Sequence, residues 1–459
     1  MTGVFIILYI AISLGIGLYA SRRVKTEEDF VLAGKNLPLY LSSATVFATW
    51  FGSETLLGAT ASFHENGLLG IIEDPFGAAL CLFLVGIFFA RKLYRMNMLT
   101  FGDFYKIHFG RSAEVVSGLF LIISYFGWIA AQFVAMGYLL HSIYPGVSME
   151  FFVLLSALVI TLYTITGGMW AVSVTDFFQT ILIIIGLIVC TAVVVIKSGG
   201  MQQLLNAAPE SHYTVLPENN FSSWSHYLAA WMTIGLGSIP QQDVFQRVMS
   251  SRSEKHAVLS SVIGGVMYLT VALLPIVLVL GAMKLQVQTD NGELLLPRLI
   301  LEHTNDYIAI LFFGALLSAI MSTASGALLA PSVILGENLI APLFKNKDSA
   351  FHLKVTRLSI AGVTLISMIM ALLRKDIYEL VGEASEISLV SLFVPLCAGL
   401  FLKSKNSIAA LCSMISGFLS WLCALYYNMD FPPIFTGLFF SVLGYAITVL
   451  FIHKERSVS

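Results

Sequence analysis

An apolar stretch near the amino end carries residues that an ordinary buried helix does not need. The run Ala48-Thr49-Trp50-Phe51-Gly52-Ser53-Glu54 places a tryptophan and an acid four residues apart, beside a glycine. An aromatic face and a carboxylate on one side of a helix could together hold a cation. An ionisable group at membrane depth is costly and therefore points to function. Glycine and short polar residues there also predict an interrupted helix, which membranes tolerate only beside a cavity or inside protein.

A second segment, Ser318–Gly326, offers hydroxyl groups at helical spacing. Ser322 and Ser325 are three residues apart and share a face, with Thr323 beside them. Hydroxyl oxygens without a carboxylate make a modest site for a hard monovalent cation, but the same residues also pack helices closely. An unwound turn at Ala48–Phe51 favours the cation site, because it frees backbone carbonyls to complete the shell.

Other polar residues inside apolar runs allow more than one interpretation. Asp176 lies early in its run, so an interfacial, solvated position and an ion-relay role both remain open. Trp128 lies well inside its run and could supply a second aromatic ring. The pair Glu73-Asp74 begins another run, where we expect a solvated mouth.

The composition excludes a soluble domain. Of the 459 residues, 57% are hydrophobic and 11% charged, whereas soluble domains are about 25% charged. The five cysteines fall in apolar runs and predict small core residues without disulfides. No His, Asp and Glu cluster has catalytic spacing, so we expect neither an enzyme nor a nucleic-acid partner.

Apolar runs long enough to cross a bilayer recur along the whole chain. The first lacks a basic region before it and is interpreted as a retained span. The pattern predicts an all-α membrane protein that forms a single domain over residues 1–459. Thirteen spans are predicted, at 2–21, 39–62, 67–90, 112–142, 149–167, 171–197, 224–246, 256–283, 306–340, 355–373, 378–402, 406–427 and 432–452.

The basic residues predict the orientation. Twenty of the 25 lysines and arginines, among them Arg247, Lys345, Lys347, Lys454 and Arg456, are assigned to one side. Cytoplasmic loops carry the excess of Lys and Arg. We therefore expect an amino terminus outside and a carboxyl terminus in the cytoplasm.

Two predicted spans contain helix breakers, and they stand five spans apart. The second is interrupted at Gly52–Gly58 and the seventh at Gly235–Pro240. Interrupted spans at corresponding places of two halves are the best sequence pointer to a transporter site. An odd number of spans in each half makes the two halves inverted in the membrane.

Several motifs carry a resemblance to a known family. The run Tyr163–Ala171 (YTITGGMWA) and the pattern Thr175-Asp176-x-x-Gln179 resemble signatures of the sodium:solute symporter family. The segments Ala48-Thr49-Trp50, Gly86–Arg91 and Phe245–Ser251 are similar to its high-affinity choline transporter branch. The resemblance extends from the first predicted span to the thirteenth.

The resemblance implies a fold and an ion. The core would be five-plus-five inverted repeats of the leucine-transporter type, at 38–197 and 224–402, with peripheral helices in 1–37 and 403–459. Sodium would be co-transported, and no organic cofactor is expected. The main sodium site would match Ala48, Phe51, Ala319, Ser322 and Thr323. A possible second site or relay would match Asp176 and Ser325 with Ser322, and the family's remaining serine is Gly326 here.

The choline branch further implies an aromatic cage for the solute. Two cage positions match Trp50 and Trp128, a third is Gln241 here, and a fourth is replaced near Val381. Choline is therefore one expectation, and a polar or zwitterionic amine that contacts Gln241 and Glu54 is the other.

The prediction is a sodium-coupled symporter in the plasma (inner) membrane. Its expected partners are a small solute, sodium and the lipid bilayer. A symporter of the same family for a proline-like amino acid or another solute, and a solute sensor or channel, are the alternatives.

Overall fold

The structure is a computed structural model that describes residues 2–344, 348–427 and 430–458. Within those residues 84% are helical and there is no strand, only an isolated bridge between Leu37 and Ser251. The expected all-α class is thus confirmed. Lys345 and Lys347 of the basic set lie outside the described residues, as do the side chains of Lys454 and Arg456.

Twenty-one α-helices follow one another along the described chain. They are α1 (Thr2–Ser21), α2 (Glu27–Leu32), α3 (Leu39–Ala48), α4 (Ala59–Asn66), α5 (Ala78–Leu84), α6 (Ala90–Arg95), α7 (Phe101–Phe109), α8 (Arg111–Ile143), α9 (Met149–Lys197), α10 (Met201–Leu205), α11 (Phe221–Gly237), α12 (Gln242–Met249), α13 (Glu254–Val271), α14 (Leu273–Lys284), α15 (Leu295–His303), α16 (Asp306–Val333), α17 (Ser349–Leu373), α18 (Ile377–Ser388), α19 (Val394–Phe401), α20 (Ser407–Tyr426) and α21 (Pro433–Val458).

Short tighter and wider helical turns connect these helices. The 3-10 segments are Ala33–Lys35, Gly67–Ile71, Glu210–Tyr213, Gly292–Leu294 and Ala341–Leu343. The π-helical segments are Glu54–Gly58, Ile72–Gly77, Val85–Phe89, Ile334–Ile340 and Leu389–Phe393. Such π turns often occur at functional sites.

Every one of the thirteen predicted spans coincides with helix. Nine stretches of the described chain, taken as continuous helix, are long and apolar enough to cross a membrane. The number is smaller because two stretches each combine two spans, and because the first span contributes only the shorter helix Leu8–Ser21 and the seventh is interrupted after the 17-residue α11. Met149–Lys197 changes direction at Gly168 (φ 51°, ψ −156°), and Glu54–Arg95 joins the end of the second span to the third.

The core is built around α16, which is buried along most of its length. It packs along α9 and against α8 and α17, while α18 lies along α8 and α13 lies along α3. The ends α20 and α21 pack on each other at the periphery. The two interrupted spans, α3–α4 and α11–α12, therefore face a buried centre.

Candidate functional site

The first interruption leaves one backbone carbonyl free of helical hydrogen bonding. Helix α3 ends at Ala48, and the Gly52 amide, which would bond to the Ala48 carbonyl in a regular helix, donates instead to the Trp50 carbonyl at 2.8 Å. A Cβ at position 52 would collide with the Thr323 hydroxyl, so the close approach of α16 requires glycine. The predicted break is confirmed, and its carbonyl points towards α16.

The hydroxyls of α16 converge on that carbonyl. Ser322 Oγ lies 3.4 Å and Thr323 Oγ1 3.2 Å from the Ala48 oxygen, and Ser322 Oγ lies 3.0 Å from the Ala319 carbonyl. All four residues are fully buried. Four of the five predicted sodium ligands are thus neighbours. Phe51 lies in the same unwound turn, and its part as a ligand stays a prediction.

This cluster has the chemistry of a weak site for a hard cation. Its contributors are carbonyl and hydroxyl oxygens, and carbonyls of unwound helices coordinate sodium in membrane transporters. A hydroxyl group rotates to suit its partner. The two that now donate to Ala48 could therefore turn their lone pairs to an ion.

The four predicted solute residues line one buried cavity, whose volume is about 10 Å³. Its lining residues are Trp50, Glu54, Asp74, Ala78, Trp128, Ile234, Ser238, Gln241, Tyr268, Val381 and Ser385. The cavity lies between both helix breaks and is closed by α8, α13 and α18. A volume of about 10 Å³ leaves room for about one water molecule, so the walls of the cavity must move apart to admit a solute.

A hydrogen bond from its indole N–H holds the Trp50 ring in place. Its Nε1 donates to Asp243 Oδ2 at 2.9 Å, and the Tyr125 hydroxyl donates to the other Asp243 oxygen. These hydrogen bonds occupy both the indole N–H of Trp50 and the carboxylate of Asp243. The aromatic face of Trp50 is what remains for the cavity.

Glu54 holds the second ring and a neighbouring amide. Its Oε1 accepts from Trp128 Nε1 at 3.3 Å, and its Oε2 accepts from Gln132 Nε2 at 3.0 Å and from Ser53 Oγ at 3.4 Å. The side chain is buried. Glu54 therefore orients Trp128 and also gives the cavity an acidic wall.

Gln241 lies just after the break in the seventh span. Its Nε2 donates to Ser388 Oγ at 3.3 Å, and that hydroxyl donates to the Gly237 carbonyl at 2.6 Å. Val381, where the resemblance placed a lost aromatic residue, also lines the cavity. The polar wall formed by Gln241, Ser238 and Ser385 therefore stands where an aromatic cage would close.

The cavity lining includes Asp74 and Tyr268, which sequence reasoning did not place there. Asp74 is 1% exposed, so the expectation that it belongs to a solvated mouth was wrong. It lies in a non-helical turn (φ −138°, ψ 121°) that directs it inward, 2.6 Å from the Tyr268 hydroxyl. Asp74 and Tyr268 are 194 residues apart in the chain, so their spacing does not predict this contact.

Asp176 lies in the core and not at an interface, which excludes the solvated alternative. It accepts from the Thr45 hydroxyl, and its Oδ2 lies 3.9 Å from Arg247 Nη2, with both side chains fully buried. Arg247 Nε donates to the Thr45 carbonyl at 3.1 Å. The assignment of Arg247 to a cytoplasmic loop was therefore wrong. Ser325 donates to the Ser322 carbonyl at 3.0 Å.

A model of the sodium:solute symporter family matches residues 30–417. The chain belongs to the sodium:solute symporter family. It is therefore a sodium-coupled solute symporter and not an enzyme, as the motifs predicted.

The similar proteins agree with this family. The high-affinity choline transporter 1 of Caenorhabditis elegans is 26% identical over 449 residues, covering 90% of this chain and 76% of the relative. Its human counterpart is 28% identical over 442 residues, covering 90% and 74%. Sodium/proline symporter 2 of Staphylococcus saprophyticus is 26% identical over 444 residues, covering 91% and 84%.

Solved structures show the same fold. A sodium-coupled sialic acid symporter in a substrate-bound outward-open state superposes with a TM-score of 0.83 at 20% identity, with 97% of each chain covered. A nucleobase-cation-symport-1 family transporter in a closed conformation gives a TM-score of 0.65 at 12% identity, covering 93% of this chain and 95% of that one. The leucine-transporter type of core expected for this symporter is thus confirmed.

Proposed function

We propose that this symporter imports a small organic cation, choline or a related small amine, together with sodium, by alternating access. The observation that carries the proposal is the cavity between the two helix breaks. It presents the faces of Trp50 and Trp128 and the carboxyl groups of Glu54 and Asp74, and its lining residues include no lysine, arginine or histidine. A cation is attracted to such faces, most strongly where water is excluded.

The proposed sodium site is the oxygen cluster beside this cavity. Its ligands are the Ala48, Phe51 and Ala319 carbonyls and the Ser322 and Thr323 hydroxyls. The support is the freed Ala48 carbonyl and its 3.2–3.4 Å distances to the two hydroxyls. Because Ala48 and Trp50 belong to one unwound turn, an ion that orders this turn also positions the ring that contacts the solute.

For the second predicted ion site, we propose the relay role. Asp176 already faces the positive charge of Arg247, and a buried carboxylate that is paired in this way has less need of a metal cation. Ser325 then serves α16 packing through its bond to the Ser322 carbonyl.

The arrangement in the membrane follows the sequence. We infer inverted repeats at 38–197 and 224–402, an amino terminus outside and a carboxyl terminus in the cytoplasm of a plasma-membrane protein. Sodium entry supplies the driving force, since one charge crossing 100 mV contributes about 2.3 kcal/mol.

The experiment is uptake and binding with purified protein. In proteoliposomes, an inward sodium gradient should accumulate radiolabelled choline or ethanolamine, and replacing sodium with potassium should abolish accumulation. A thermal-shift screen with choline, betaine, proline and sugars, with and without sodium, ranks the solutes, because a ligand that binds the fold stabilises it. Stabilisation by proline or a sugar and by no amine would contradict the proposal.

A further inference from the structure

Asp74 lines the solute cavity, and one oxygen of its carboxylate has no hydrogen-bond partner in the described part of the chain. Asp74 Oδ2 is buried without a hydrogen bond among the described residues, although the other oxygen of the same carboxylate, Oδ1, lies 2.6 Å from the Tyr268 hydroxyl. Tyr268 is itself placed by Thr55, whose hydroxyl lies 2.6 Å from it. A phenol has one hydrogen, so the chain from Thr55 through Tyr268 to Asp74 fixes the carboxylate and leaves Oδ2 open.

The other acid in the cavity is already used. Glu54 accepts from Trp128, Gln132 and Ser53, so both of its oxygens have donors. The lining residues bring no cationic side chain that could turn to Asp74. The unfilled acceptor is therefore specific to Asp74 Oδ2.

A buried charged acceptor without a donor is costly, and a ligand that supplies the donor removes that cost. A protonated primary or secondary amine presents N–H groups to a carboxylate. The nitrogen of a quaternary ammonium ion carries only carbon substituents, which suit aromatic faces but offer the oxygen no N–H hydrogen bond. The aromatic wall here is reduced to Trp50 and Trp128, because Gln241 and Val381 bring no ring.

Resting on the proposed function, we infer that the solute is a protonated amine that carries at least one N–H and donates it to Asp74 Oδ2, and not a quaternary ammonium ion. The aromatic faces of Trp50 and Trp128 attract the positive charge of the ammonium group, and Asp74 accepts a hydrogen bond from its N–H. The polar wall of Ser238, Gln241 and Ser385 faces the remainder of a small, hydroxylated or otherwise polar molecule.

The test is a series in which N–H groups are replaced one at a time. Ethanolamine, N-methylethanolamine, N,N-dimethylethanolamine and choline differ only in methylation, and each is titrated into the purified symporter in saturating sodium. We expect choline to bind at least about tenfold more weakly than the strongest of the first two, the size of one lost hydrogen bond to a charged group.

Asp74→Asn isolates the contact, because it keeps an oxygen for Tyr268 and replaces Oδ2 with an amide that cannot accept. It should weaken the primary amine by at least about tenfold and choline by less, which flattens the series. Glu73→Gln is the matched control, since Glu73 lies outside the cavity lining and should preserve the ranking.

The wild-type ranking alone decides the inference, whether or not the variant folds. Choline binding as tightly as ethanolamine, or Asp74→Asn weakening every member equally, would overturn it while leaving the proposed symport of amines in place. Sodium-independent or absent binding of the whole series would overturn the proposed function instead.

Discussion

The guanidinium group of Arg247 fills the space that a side chain at Gly326 would need. A Cβ built at position 326 would overlap Arg247 Nη2. The resemblance to the family implies a serine where this sequence has Gly326. The structure explains the loss, because the residue that approaches Asp176 at this point is an arginine.

The first prediction concerns this close packing. Gly326→Ala should lower the free energy of unfolding by about 1–3 kcal/mol, because an added methyl group displaces a buried arginine from its pairing with Asp176. Thermal unfolding of the purified protein measures the change. Gly362→Ala in α17 is the control, since nothing lies within 4 Å of a Cβ built there. Equal stability of the two variants would show that Arg247 moves aside freely.

The second prediction concerns the number of sodium ions. If Arg247 supplies the positive charge beside Asp176, uptake should rise hyperbolically with sodium concentration, with a Hill coefficient near one. Ser325→Ala should leave the half-saturating sodium concentration unchanged. A coefficient approaching two, together with a rise in that concentration for Ser325→Ala, would restore the second sodium site.

The third prediction concerns the oxygen cluster. Removing both hydroxyls, with Ser322→Ala and Thr323→Ala, should reduce sodium-stimulated uptake to background, because two of the proposed ligands are lost while the fold keeps its apolar packing. Flux is measured in proteoliposomes and stability in detergent. Ser332→Ala is the matched control on the same helix, since among the described residues that hydroxyl bonds only to the Leu328 carbonyl, at 2.6 Å. Full sodium dependence in the double variant would refute the assignment.

The fourth prediction concerns the ring of Trp50. Trp50→Ala should weaken a cationic amine more than its uncharged carbon isostere, by a further factor of about 2 to 30, the range expected for a cation over an indole face. The ratio of the two dissociation constants is the measured quantity, which removes any general loss of packing. Trp421→Ala, in a separate cluster of buried residues, should leave the ratio as it is. An equal loss for both ligands in Trp50→Ala would exclude cation–π recognition.

The fifth prediction concerns an acid outside the spans. Burial, and then the nearby Glu337 carboxyl group, raise the pKa of Glu27 from 4.5 to about 8. His352 also faces this pair, with Nδ1 2.6 Å from Glu337 and 3.8 Å from Glu27. The folded protein thus binds more protons than the unfolded chain between these pH values, and its stability falls as pH rises through that window.

Glu27→Gln removes this titration. The melting temperature of the variant minus that of the wild type should therefore increase as the pH is raised from 5 to 9. Glu28→Gln, at the exposed neighbour, should follow the wild type at every pH. A constant difference between wild type and Glu27→Gln across the range would show that Glu27 does not titrate there.

The sequence predicted the parts of this protein that depend on local pattern. Thirteen apolar runs and the breakers at Gly52 and Pro240 are readable because a helix that crosses a bilayer must be long and apolar, and because breakers act on their own turn. The clustering of Ala48 with Ser322 and Thr323 followed from the family resemblance.

The rest depends on contacts between distant residues. Asp74 was misplaced because its inward direction is set by a single non-helical turn and by Tyr268 in another helix. Arg247 was counted as a loop charge because an arginine near the end of a span is normally solvated. Its burial depends on Asp176, which no spacing rule connects to it.

Helix α12 lies antiparallel to α3 and to the unwound turn that follows α3. Arg247 bonds to the Thr45 carbonyl, and Asp243, one turn earlier in α12, bonds to the Trp50 ring. Ala48 lies between these two anchors. Any sliding of α12 against α3 would therefore disturb the acid at the core, the carbonyl of the proposed sodium site and the ring of the proposed solute site in one motion, which would couple release of the ion to release of the solute.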